Sequence, residues 1–235
     1  MSLFNIIASS YQAETPLPNI VTDNLALWLD VNISASYLPG SSVWNDLSPN
    51  ANVFNLVGPP VLTQNRFEFD GINDYAICTN LVGDPYQVGN GEITLEYWIN
   101  FKGTGDGIVD NRDQGLASQW IDYLSTSNNS YRTFLNQTGI QLSSTLPSIN
   151  TFYQLVVKRF GNNIWYTYIN GQYIGARIAG VNISGTNSQL TIGASYTTNT
   201  KYRNDIGIIR VYKGKALTDQ EVLQNFNAQK DIYGL

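Results

Sequence analysis

The stretch Phe152–Ala176, FYQLVVKRFGNNIWYTYINGQYIGA, decides the fold. Two apolar-rich runs flank Gly161-Asn162-Asn163, and the second ends in Asn170-Gly171 before QYIGA. Alternation at period two, with many β-branched and aromatic residues, is the pattern of strands rather than helices. Asn-Gly between such runs marks a hairpin, because a type I′ turn needs φ > 0 at both central positions. The spacing predicts three strands, Phe152–Arg159, Ile164–Ile169 and Gln172–Arg177, joined as an antiparallel meander. The rest of the chain must then form a sheet protein that accommodates it.

Working outward, LALWLDV places Leu25, Leu27 and Leu29 on one face of a strand over Leu25–Val31. Arg66–Ile77 reads as two strand halves joined by Asp70-Gly71-Ile72-Asn73-Asp74. Glu92–Lys102 is a longer strand with Ile93, Leu95, Tyr97, Ile99 and Phe101 on one side and Glu92, Thr94, Glu96, Trp98 and Asn100 on the other. Weaker strand patterns occur near Gln119–Ser125 and Tyr131–Asn136, and clearer ones at Gln189–Ile192 and Ile206–Tyr212. One helix is expected over about 218–229. Thr218 with Glu221 forms a capping box, and Val222, Leu223 and Phe226 make an apolar stripe. Regular turns without βαβ alternation predict an all-β, two-sheet antiparallel sandwich over 23–235 with one short C-terminal helix. Residues 1–22, with Pro16, Pro18 and scattered apolar residues (Phe4, Ile6, Ile7), read as an N-terminal arm.

The 235 residues include only 13% charged side chains, and the formal net charge is −5. So few cations leave no electrostatic footprint for a phosphate backbone, which argues against nucleic acid as a partner. The chain has no histidine, which removes Ser-His-Asp and Cys-His catalysis and most zinc or copper sites. Cys78 is the single cysteine, so no disulfide forms within the chain. The opening MSLFNIIASSYQAETPLPN lacks a basic n-region and is not expected to be a signal peptide. No apolar run approaches the roughly 20 residues that span a bilayer. These features point away from a membrane and toward assembly in a cell's cytoplasm.

Four stretches in order resemble a known family. They are Val21-Thr22-Asp23-Asn24-Leu25-Ala26-Leu27-Trp28-Leu29-Asp30 with Tyr37-Leu38-Pro39-Gly40 and Trp44-Asn45-Asp46-Leu47-Ser48; Phe69-Asp70-Gly71-Ile72-Asn73-Asp74-Tyr75; Ile93-Thr94-Leu95-Glu96-Tyr97-Trp98-Ile99; and Tyr168-Ile169-Asn170-Gly171 with the tail IGIIRVYKGKALTDQEVLQNFNAQKDIYGL. Together they resemble the laminin-G-like, concanavalin A-like lectin/glucanase jelly-roll domains, of the type found in tailed-bacteriophage virion proteins. The resemblance implies two antiparallel sheets, one of them concave, with rim loops that often bind calcium and sugars in relatives.

Fold relatives include glucanases with a strand motif Glu-x-Asp-x-x-Glu, and retaining hydrolysis needs two carboxyl groups about 5–5.5 Å apart. Here the nearest match is Glu68-Phe69-Asp70-Gly71-Ile72-Asn73, with an amide at the acid/base position. Glu92 and Glu96 share a strand face, but at ~3.3 Å per residue their Cα atoms lie roughly 13 Å apart. They are expected to be solvent-facing or salt-bridged, and the chain is expected not to be an enzyme. For calcium, which takes six to eight oxygens from irregular loops, the oxygen-rich places are Asp70, Asn73 and Asp74, and the loop with Asp106 and Asp110. Relatives often carry an acidic pair in the strand before the C-terminal helix, where this sequence has Gly207 and Ile208. The competing reading is that Asp70 and Asn73 stabilise a turn through backbone hydrogen bonds. For sugars, the candidate aromatic platforms are Trp98, on the polar side of its strand, with Trp120, Tyr123, Tyr131, Tyr196 and Tyr202 in or near loops.

These readings converge on a non-enzymatic virion structural protein of a tailed bacteriophage: a capsid decoration, head-fibre or tail-associated lectin-like protein. Its expected partners are other virion proteins (the major capsid or a tail protein), a further copy of itself, and host-surface glycans. The alternatives are a carbohydrate-binding adhesion module without viral context and, last, a glycoside hydrolase.

Overall fold

The computed structural model describes residues 17–103, 107–111, 120–124, 131–135, 138–141, 149–161, 163–180, 182–183 and 188–235, the three segments from 120 to 141 by backbone alone. Among the described residues, sixteen strands form two eight-stranded antiparallel sheets. One sheet, A, runs β14 (Gln172–Ile178), β13 (Ile164–Ile169), β12 (Tyr153–Phe160), β7 (Ile93–Phe101), β16 (Arg203–Lys213), β5 (Arg66–Asp70), β4 (Val61–Thr63). β1 (Leu25–Asp30) joins it by pairing with the second half of β16, end to end with β5. Sheet B runs β11 (Thr138–Gln141), β10 (Tyr131–Leu135), β9 (Trp120–Leu124), β8 (Gly107–Asp110), β15 (Leu190–Ile192), β6 (Tyr75–Cys78), β3 (Val53–Val57), β2 (Val43–Asn45).

The meander forms as its sequence dictates. Asn170 and Gly171 take φ of 50° and 74°, both in the left-handed region a type I′ turn requires, and Ile169 pairs with Gln172 across it. Alternation then sorts the side chains. Ile93, Leu95, Tyr97, Ile99 and Phe101 of β7 meet Leu155 and Val157 of β12 and Ile206, Ile209 and Val211 of β16 in the core between the sheets.

Two expectations change. Residues Arg66–Ile77 do not make one kinked ribbon: β5 belongs to sheet A and β6 to sheet B, so Asp70–Asp74 is a corner where the chain crosses between layers. Nor does the globular part begin after residue 22. Ile20 and Val21 are buried, Val21 N donates to Asn225 Oδ1 at 2.9 Å, and Val21 O accepts from the Tyr212 hydroxyl. Phe4, Ile6 and Ile7 lie outside the described residues.

The helix α1 spans Asp219–Gln229 behind the expected capping box, both halves of which form. It lies on the outer face of sheet A, where Val222 packs among Trp98, Val156, Tyr168, Ile208, Tyr212 and Leu217. Both faces of β7 and β16 are therefore buried. Of the anticipated stripe, Val222 is fully buried, Phe226 is half-buried and Leu223 remains 38% exposed. Among the described residues no helix is long and apolar enough to cross a membrane.

Candidate functional site

The outer face of sheet A divides into a covered centre and two open ends. In the centre, Glu96, Trp98, Arg210 and Asp30 are buried beneath α1 and the short 3-10 helix Lys230–Tyr233. Arg210 donates to Glu96 Oε1 at 2.7 Å and to Gln229 Oε1, and its guanidinium lies 3.9 Å from Asp30 Oδ2. Glu96 also accepts from Trp98 Nε1, Gln154 Nε2 and Asn225 Nδ2 at 2.8–3.0 Å. Gln229 Nε2 closes the ring on Asp30 at 2.7 Å. Burial lifts the Asp30 carboxyl above its usual range despite Arg210. Of the two readings for Glu96, the salt bridge is the one realised, without solvent. Trp98 is corrected as a sugar platform: its ring is wholly buried and stacks on Phe226 and Tyr233 at 5.9 and 4.9 Å.

The first open end is a cleft of about 620 Å³ beside the Asp70–Asp74 corner. Its floor holds Asp205, whose Oδ2 accepts from Lys102 Nζ at 2.7 Å, Asn100 Nδ2 at 2.9 Å and Arg66 Nε at 3.2 Å. Glu68 lies directly across from Asp205 in register and is tied to the same Arg66 at 3.5 Å. Val61 and Ile72, both exposed, form its aliphatic lip. The oxygens anticipated as calcium ligands here are occupied by the turn itself. Asp70 Oδ1 accepts from Ile72 N and Asn73 N at 2.7 and 3.2 Å, and Asp74 Oδ2 accepts from Asp70 N. The Asn73 amide nitrogen, turned toward both, donates to Asp70 Oδ2 and Asp74 Oδ1. Burial raises the Asp74 carboxyl above its ordinary value. Asp110 is buried in β8 and accepts from Tyr196 N at 3.0 Å; Asp106 lies outside the described residues. Among the described residues no group of three or more Asp, Glu or Cys side chains is placed to hold a metal ion.

The second open end is an aromatic row the sequence reading did not single out. On β13, Tyr166 and Tyr168 project from the outer face while Trp165 and Thr167 are buried inward. Phe160 of β12 packs edge-on against Tyr166 at 5.4 Å, and Tyr173 of β14 lies 6.2 Å from Tyr166 and 5.7 Å from Tyr168. Lys158 Nζ lies 4.5 Å over the Tyr168 ring and donates to Asp219 Oδ1 at 2.7 Å. Burial first, and then the Asp219 carboxylate, push the Tyr168 phenol well up. Tyr173 remains 55% exposed and Ile178 82%. The signal was present in the alternation of IWYTYI; what was missing was that β14 ends the sheet, so that the row runs from Tyr168, buried beside α1, out to the exposed ring of Tyr173.

The other anticipated platforms do not gather there. Tyr202 is buried with its ring over Gly107, and Tyr196 is half-buried in the turn before β16. Trp120 and Tyr123 lie on β9 and Tyr131 on β10, placed by backbone alone.

Comparison with known proteins follows this geometry. A family model described as the concanavalin A-like lectin/glucanases superfamily matches residues 70–223. No curated protein sequence matches the chain. Among solved structures, the botulinum neurotoxin serotype D binding domain is similar at 15% identity and a TM-score of 0.67, over 89% of this chain and 53% of that one. Botulinum neurotoxin type C, whose cell entry depends on interaction with two ganglioside molecules, aligns at 16% and 0.66 over 88% and 51%. A Trypanosoma rangeli sialidase mutant displaying trans-sialidase activity aligns at 16% and 0.61 over 92% and 34%. The chain thus spans about half the length of the neurotoxin domains it matches, and these likenesses carry the fold alone.

Proposed function

The chain belongs to the concanavalin A-like lectin/glucanases superfamily, and we propose that it is a non-enzymatic, lectin-like module that meets glycans through the aromatic row of sheet A. The observation that carries this reading is the half-wet ring of Tyr173, exposed beside Tyr166 and Phe160 with Ile178 at its margin. Such amphipathic rings present an apolar face to the C–H surface of a sugar and a hydroxyl to its rim. The fully buried carboxylate beneath the helix, Glu96, is committed to Arg210, Asn225, Gln154 and Trp98. Asp205 is committed to Arg66, Lys102 and Asn100. Both serve as structural acceptors, which supports binding without hydrolysis.

The setting we propose is the particle of a tailed bacteriophage, as a capsid decoration, head fibre or tail-associated protein. The arm holding Phe4, Ile6 and Ile7 would attach it to the capsid or tail. The sequence resemblance of the opening and closing stretches supports this setting. A glycan array with wild-type protein and Tyr173→Ala tests the binding role. The expected result is a glycan hit weakened about tenfold or more by the truncation, the effect of a contact worth ~1.4 kcal/mol. Absence of any hit, or turnover of the bound glycan in a hydrolysis assay, overturns it. An electron-microscopy map of particles, with and without residues 1–15, decides the viral setting.

A further inference from the structure

We infer that the aromatic row of sheet A selects uncharged glycans and rejects those carrying carboxylates, with Asp219 as the residue that sets the choice. This deepens the lectin-like reading and rests on it. The row is framed by β12, β13, β14 and α1, and these elements carry three cations, Lys158, Arg159 and Arg177. None offers its charge to a ligand on the outer face. The Lys158 side chain is 1% exposed. Its ammonium donates to Leu217 O and Asp219 Oδ1, both at 2.7 Å, and lies over the Tyr168 and Phe160 rings. Arg159 is buried, donates to Gly89 O and Gly91 O, and lies 5.1 Å over the inward-facing Trp165. Arg177 stands opposite Trp165 in register, and alternation starts its side chain from that same inward face. Lys230, just past α1, lies over Phe226, about 16 Å along the helix from Asp219.

The charge that does reach solvent beside the row is a carboxylate. Asp219 opens α1 and accepts from the Tyr168 hydroxyl at 2.6 Å, and the Tyr168 ring lies 5.7 Å from Tyr173. Both of its donors, Lys158 and Tyr168, fall on Oδ1. The side chain stays 77% exposed, which leaves Oδ2 as an acceptor at the edge of the platform. Lys158 foremost, and then Tyr168, hold this carboxyl below its ordinary value, so it is charged at neutral pH. The helix N-terminus adds no seat for an anion, since its first turn already holds Asp219 and Glu221, the latter paired with Lys215 at 2.7 Å. An uncharged sugar lays its C–H face on the rings and donates a hydroxyl to Oδ2, a charge-assisted bond. A sialic or uronic acid brings a second carboxylate for which no countercharge waits, and an unpaired like charge discriminates against the partner that carries it. At ~5 Å in water two such charges repel enough to weaken binding about fourfold, and more where the rings exclude water.

Paired glycans test this: a neutral oligosaccharide and the same chain capped with one sialic or uronic acid, titrated against the full chain at pH 7 and low salt. The uncharged member should bind about fourfold tighter or more. Asp219→Asn should close most of that gap. Ile178→Lys, at a position 82% exposed on the margin of the row, should narrow or reverse it. Each readout is a ratio of two affinities on one protein, so a change in the folded fraction does not move it. Acidic members that bind as tightly as their neutral partners overturn the inference, as does a gap that both substitutions leave unchanged. If Tyr173→Ala still weakens those hits, the glycan reading stands without it. If no glycan of either kind binds in a way that Tyr173→Ala weakens, both fall.

Discussion

Arg210→Met tests whether the charged layer beneath α1 holds the helix to the sheet. Arg210, Glu96 and Asp30 are all 0% exposed, so the substitution leaves two carboxylates without their cation where water does not reach. Glu96 keeps Gln154, Trp98 and Asn225 as donors, and Asp30 keeps Gln229 and Asn32. Hydrogen bonds remain, but the countercharge does not. Removing one partner from a buried pair costs about 3–5 kcal/mol because the other charge is stranded. At roughly 2–4 °C per kcal/mol for a domain of this size, the melting temperature should fall by about 6–20 °C. Methionine keeps part of the aliphatic stem but removes the guanidinium that lies 5.6 Å over the Trp28 ring, so that contact is lost together with the charge. Adding Glu96→Gln should recover part of the loss, since the stranded carboxylate is then gone. The double variant should fall short of the sum of the singles by about 1–3 kcal/mol. Thermal and guanidinium unfolding at pH 7 measure all three proteins. A fall of under ~3 °C, about what 1 kcal/mol is worth here, or strict additivity of the pair, would refute the reasoning.

Phe226→Ala, which removes the ring stacked on Trp98, should cost about 3 kcal/mol, the lower end for a core aromatic because Phe226 is only half-buried; Thr218→Ala should cost about 1 kcal/mol as a lost cap, and denaturant midpoints separate the two. The Asp219 carboxylate accepts from Lys158 and from the Tyr168 hydroxyl, and these partners, Lys158 foremost, hold it below the ordinary value of 3.8. The folded chain thus binds fewer protons there than the unfolded one, and the stability gained is complete above pH 3.8 and lost as pH falls through the depressed value. Asp219→Asn should flatten the stability curve below that pH, and an unchanged acid limb would disprove the assignment. Excess chelator should leave the melting temperature nearly constant, because Asp70 and Asp74 already accept from their own turn; a drop of ~5–11 °C, as from losing a ligand at 100 times its Kd, would show that these residues or the loop around Asp106 hold calcium.

Whatever depends on periods of two and on local turn chemistry could be read from the residues alone. The meander with its Asn170-Gly171 turn, the inward set of β7, the capping box at Thr218 and the all-β class each rest on neighbours within a few positions, where backbone sterics and alternation act directly. The identity of the cover on each face did not. Trp98 stands on the polar side of its strand by parity, yet that side is buried because a helix more than a hundred residues later lies over it. Asn225 and Gln229 look like solvent positions in DQEVLQNFNAQ, and become buried donors only because Glu96 and Asp30 wait beneath them. In the same way, RFEFDGINDYAI carries no mark that its two halves enter different sheets. Tyr166 and Tyr173 alternate like any strand aromatics, and stay open because their strands end a layer. Strand order and layer coverage are set by pairings distant in sequence, whose free energy comes from burying whole faces together, so only the tertiary structure decides which polar residue is paired in the dark and which ring is left in water.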